Sequence, residues 1–119
     1  WKRFLDFEVE YLPGKAYLRL AEFKKKFPDE AKAYAAKERA IHAIPDVRKL
    51  AELVDFARKA KDMRKFGEKQ QVQRKRYEQL VRDALASAKY KPLLASENPF
   101  VVQEAKNALA DLKWTAATF

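Results

Sequence analysis

The sequence has no cysteine and a single histidine, His42. Without cysteine there is no disulfide framework and no thiolate metal site. A transition-metal site would have to rest on carboxylates, a poor ligand set for such ions. Only two glycines occur in 119 residues. Hairpins and tight turns draw on glycine, so an all-β architecture has little to work with. Two isolated glycines also cannot form a phosphate-cradling loop. No uncharged apolar run approaches the roughly 20 residues that a membrane-spanning helix needs, so no transmembrane helix is expected. Catalytic groupings are missing as well. A catalytic imidazole needs an orienting carboxylate and usually a nucleophile; for His42, between Ile41 and Ala43, there is no Cys and no marked Ser to serve as one. Near a helix end it reads instead as a residue that complements the helix dipole. No pair of carboxylates stands apart from the surrounding bases. The chain is therefore expected to be no enzyme and to need no cofactor.

What is present points to helices. Apolar residues make up 48% of the chain and charged residues 36%, with a mean hydropathy of −0.59. Much of the apolar share is Ala, which buries little area per residue. This balance suits helices with narrow apolar stripes, and the length suits a single domain. Pro28, Pro45 and Pro99 each stand where a helix can start, since the first helical position has no use for its N–H. Asp29 and Glu30 follow Pro28, and Asp46 follows Pro45, placing acids at the positive end of a helix dipole. Asn98 before Pro99 is a good N-cap.

Residues 1–12 keep no clean period and read as a short helix or an extended arm ending at Pro13-Gly14. A helix is expected from Lys15 to Lys26, with Ala16, Leu20, Phe23 and Phe27 on one face. The next should run from Pro28 to Ala43, with Ala31, Tyr34, Ala35 and Ile41 inward. From Pro45, Val47, Leu50, Ala51, Val54 and Ala57 form one stripe, and Leu53, Phe56, Ala60 and Met63 an adjacent one. Gly67 could end this helix or lie inside it. An unbroken helix from Pro45 to Tyr90 would be roughly 69 Å long. Tyr77, Leu80, Val81, Ala84, Leu85 and Ala88 give a further stripe, which Pro92 should end. The last helix starts at Pro99, with Val101, Ala105, Ala108, Leu109 and Leu112 inward. The expected fold is all-α: an extended helical hairpin or a small irregular bundle of about five helices, one of them long. Residues 1–14 and 114–119 are open to a reading as extended arms on the single 1–119 domain.

The formal net charge is +9. Residues 58–91 hold 12 bases and 4 acids, a balance of +8; the remainder carries +1. On helices, Arg58, Lys61 and Lys65 share a face, as do Lys75, Arg82 and Lys89. Such a stripe could follow phosphates, anionic lipid headgroups or the acidic surface of a protein; an ordinary solvated face reads equally well. The segment holds few aromatic residues, and Tyr77 belongs to an apolar stripe. That weakens base-stacking RNA recognition while leaving phosphate contact open. Glu78 and Arg82 have the spacing of a helix ion pair.

Aromatic residues gather at the ends: Trp1, Phe4, Phe7 and Tyr11 at one, Trp114 and Phe119 at the other. They read either as packing on one another or as anchors on a neighbouring protein, where Trp and Tyr are frequent. The chain opens on Trp1 rather than Met, as one cleaved from a targeting peptide or cut from a longer chain does.

No family motif stands out. In style the chain resembles supernumerary subunits of mitochondrial complexes: basic, rich in Ala and Lys, helical and without chemistry. That resemblance implies a structural subunit of a respiratory-chain complex or ATP synthase, on the matrix side or at the membrane, with other protein subunits as partners. A ribosomal or other RNA-binding subunit, contacting phosphates through residues 58–91, is the alternative.

Overall fold

Pro28 and Pro99 open helices as their context predicts; Pro45 does not. The computed structural model describes Glu8, residues 11–63 and residues 71–118. Of these residues 86% are helical, and none forms a strand. The helices are α1 (Pro13–Lys26), α2 (Pro28–Ala31), α3 (Ala35–His42), α4 (Val47–Met63), α5 (Gln71–Ala86), α6 (Lys91–Leu94) and α7 (Pro99–Thr118). The expected helix over 28–43 is interrupted by a 3-10 turn at Lys32–Tyr34, and its second half ends at His42.

Pro45 sits in a turn instead of a first helical turn. The Val47 N–H donates to the Ile44 carbonyl at 3.2 Å, and Asp46 has φ 62°. Pro at the second position and a left-handed residue at the third is the pattern of a type II turn. The helix starts at Val47, two residues after the proline, with the Leu50 N–H donating to the Asp46 carbonyl.

α4 and α5 lie side by side. The Phe56 and Tyr77 rings stack at 6.4 Å, and Lys89 reaches back to Glu52. A continuous helix from Pro45 to Tyr90 is therefore excluded, as the 44 × 34 × 19 Å extents also require. Pro92 does not end α5. That helix stops at Ala86, and Pro92 lies in the first turn of the short α6. The C-terminal arm reading also fails for 114–118, which continue α7 with Thr115 buried.

Two clusters form the interior. The larger joins α4, α5, α6 and α7 through Leu50, Leu53, Ala57, Ala60, Val81, Leu93, Val101, Ala105, Ala108 and Leu112. Its four alanines let α4 and α7 approach closely while burying little area each. The smaller joins α1, α3 and the start of α4 through Ala16, Leu20, Ile41 and Val47. Ile44 packs on both. Phe27, expected inward, is exposed, because α1 ends at Lys26 and the chain turns there. α5 has one fully buried residue, Val81; Leu80 is exposed, and Ala88 lies beyond the helix.

Pro13 and Gly14, expected in an arm, are the buried first turn of α1. Leu12 at its N-cap offers no side-chain acceptor. The acceptor comes from the far end of the chain. Glu104 of α7 takes the Gly14 N–H on Oε1 at 2.8 Å and the Lys15 N–H on Oε2 at 3.1 Å. Pro13 has no N–H, and the Leu12 N–H donates to the Glu8 carbonyl at 2.7 Å. All four positions that a helix start leaves without partners are thus accounted for. There is little room for a side chain at this site. A Cβ on Gly14 would lie 2.9 Å from Leu50 Cγ and 3.3 Å from the Leu50 carbonyl carbon.

Candidate docking surfaces

The long α7 carries an aromatic contact near each end. At its start Phe100 meets Tyr11 edge-on, with ring centroids 4.9 Å apart. Near its other end Trp114 lies under the ammonium of Lys61, 5.7 Å from the ring centroid. Tyr11 and Trp114 are both exposed. Phe100 and Trp114 are 14 positions apart, about 21 Å along a helix, so the two ends do not share one aromatic patch. Trp1, Phe4, Phe7 and Phe119 lie outside the described residues.

The basic segment is less available than its charge implies. Arg58 and Lys59 share Asp55 at 2.8 and 2.9 Å. Arg82 pairs with Glu78 at 2.8 Å, the helix ion pair expected from their spacing. Lys89 pairs with Glu52 at 2.7 Å and stands over the Tyr90 ring. The hydrogen bond that Lys59 donates to Asp55 is the main influence raising the Lys59 pKa, and the one that Lys89 donates to Glu52 does the same for Lys89. Both stay cationic at neutral pH. Burial is the main cause of a raised Tyr90 pKa. The expected row of Lys75, Arg82 and Lys89 breaks because α5 stops at Ala86. Lys75 and Arg82 remain exposed on α5, while Lys89 belongs to the turn that follows. Lys65 lies outside the described residues. The structure does join one residue from each predicted set, Lys61 and Trp114.

His42 ends α3, and its ring lies 5.0 Å from that of Tyr17. Among the described residues no three His, Asp or Glu side chains are grouped to hold a metal ion, and no helix is long and apolar enough to cross a membrane. Around the α1 cap, Glu8 and Glu104 are both buried acids. Glu8 Oε2 approaches Arg19 Nε to 2.7 Å, without hydrogen-bond alignment. Burial pushes the Glu104 pKa above the usual carboxylate range. The Gly14 and Lys15 N–H groups and the Lys15 charge oppose that rise, and the Glu8 charge adds to it.

A cleft between α1 and α4 escaped the sequence reading. It has a volume of about 520 Å³, with Leu18, Phe23, Phe27 and Val54 as its apolar surface and Lys15, Arg19, Glu22, Lys26 and Arg58 around them. Lys15, Arg19, Glu22 and Lys26 follow one another at i, i+4, i+7 and i+11. That helical period was visible, but the partner face on α4 was not. No protein-family model, curated protein or solved structure matches this chain.

Proposed function

We propose that the chain is a non-catalytic structural subunit of a larger assembly, seated against neighbouring proteins through exposed aromatic side chains. The observation that carries this reading is Trp114, left 45% exposed near the end of α7, the longest of the described helices, with Lys61 over its ring. Tryptophan beside a cation is a frequent anchor at protein interfaces, because a large rigid ring gives area at little entropic loss. The small area buried by an alanine-rich interior supports the same reading, since a thin core gains from neighbours. The assembly we propose is a mitochondrial respiratory-chain complex or the ATP synthase. Support for that finer assignment comes from the basic, helical composition alone. The ion pairs that engage Arg82 and Lys89 favour this reading over phosphate contact through the 58–91 segment. The test is particle size. Tagged chain released gently from its native source should migrate in a particle far larger than its own 13.9 kDa. It should fractionate with mitochondrial membranes, and Trp114→Ala should release it. Migration as a lone 13.9 kDa chain, or with ribosomes, refutes the proposal.

A further inference from the structure

The α1–α4 cleft combines three properties that a docking groove needs. First, it has an apolar floor that the fold leaves open: Phe27 is 48% exposed, with its ring 5.4 Å from Phe23. An exposed phenyl group beside a second ring is a poor solvent contact and a good receiving surface. Second, its exposed charge is positive. Four of the nine lining residues are cations and one is an acid. Two acids that pair with these cations lie beneath them. The Arg19 side chain is 34% exposed and that of Glu8 only 5%; Arg58 is 63% exposed and Asp55 25%. Lys15 has no ion pair among the described residues, while Glu22 and Lys26 share one at 3.3 Å. Lys25 adds positive charge at the C-terminal end of α1, whereas Lys24 turns to Glu38 of α3 at 3.0 Å. Third, its length suits a helix. Lys15 to Phe27 spans 12 positions, about 18 Å or three helical turns.

We propose that this cleft receives an acidic, amphipathic helical segment of a partner protein, an assignment that rests on the docking role proposed above. A third helix laid between α1 and α4 puts an apolar ridge against Phe23, Phe27, Leu18 and Val54. Its carboxylates then meet Lys15, Lys26 and Arg58 on the rims. Helix-in-groove docking has this form, with apolar anchors at i, i+3 or i+4 and i+7. A flat lipid surface cannot enter a cleft between two helices, and a phosphate backbone has no use for an apolar floor. Charge on the rims sets orientation and association rate, while the phenyl groups supply affinity.

The test uses the full chain and a labelled 18-residue amphipathic peptide with a leucine face flanked by glutamates. Controls carry glutamine or lysine in place of each glutamate. Fluorescence anisotropy should show the glutamate peptide bound most tightly, with affinity falling as salt rises. Phe27→Ala should weaken it about tenfold, as loss of an aromatic anchor does. K26E/R58E should weaken it and in exchange bind the lysine peptide, a reversal that a misfolded variant cannot give. Trp114→Ala should leave peptide binding unchanged. Equal affinity for the glutamate and glutamine peptides overturns the proposal. So does indifference to Phe27→Ala, or displacement of the peptide by phosphatidylglycerol vesicles or an RNA oligonucleotide. Failure here, with the native particle still large and still lost on Trp114→Ala, would remove the cleft while leaving the subunit role standing.

Discussion

Gly14 and Glu104 lie 90 residues apart in the chain, and the backbone N–H of the first donates to the carboxylate of the second at 2.8 Å. The contact is buried, so its loss leaves a donor without water to replace its acceptor. Glu104→Ala should therefore lower stability by about 1 to 3 kcal/mol, the range for an unsatisfied buried group. Urea unfolding followed by circular dichroism would measure it; an unchanged midpoint would show that the helix start does not need this acceptor.

The same carboxylate should leave a mark on the pH dependence of folding. Its folded pKa is raised, chiefly by burial. Between the ordinary carboxylate value and that raised one, the native state holds a proton that the unfolded state has released. Stability contributed by Glu104 thus falls as pH rises through the window just above 4.5, and is constant above it. Wild type minus Glu104→Gln, measured at a series of pH values, should show that decline. A difference that rises with pH instead would mean that the N–H groups of Gly14 and Lys15 outweigh burial.

Gly14→Ala opposes two effects. Alanine favours a helix over glycine by about 1 kcal/mol. Overpacking against Leu50, backbone included, removes about 1 to 3 kcal/mol. The clash should win, and the variant should unfold at lower urea than wild type.

Asp46 holds φ 62° at the third position of its turn. A β-branched residue there is far worse placed than glycine. Asp46→Val should lose more than about 1 kcal/mol, and Asp46→Gly should lose far less or gain. Equal losses in the two variants would point to the aspartate side chain rather than to backbone conformation.

At the start of α7 the Asn98 Oδ1 accepts the Phe100 N–H at 2.9 Å. Asn98→Ala should cost about 1 kcal/mol, the usual effect of losing such a cap. Thermal melts of the two chains should separate by a few degrees.

Much of this fold was legible because it is local. Asn98-Pro99 announces the start of α7, and the spacing of Val101, Ala105, Ala108 and Leu112 announces its buried face. Pro45 misled because a proline at the first helical position and one at the second position of a type II turn share the same fixed φ; only Asp46 distinguishes them, by a backbone angle that its side chain does not announce. The candidate surfaces were less legible. Lys61 and Trp114 each stood out alone, but nothing in their spacing puts one over the other. Arg58 was read with its sequence neighbours, whereas its place in the cleft depends on how α1 crosses α4. Glu104 drew no notice in the sequence because its partners are backbone N–H groups, which carry no residue identity to read.

The route by which α1 acquires its cap also constrains when it can be complete. A ribosome releases Gly14 long before Glu104, so the first described helix emerges with two N–H groups unanswered and only α7 can supply the missing acceptor. Helices α4 and α5 can pair while the chain is still growing, since their contacts are between neighbours in sequence. A nascent chain stalled before residue 104 should accordingly show α1 more open to amide exchange than α4, and release of the finished chain should close that difference in one step.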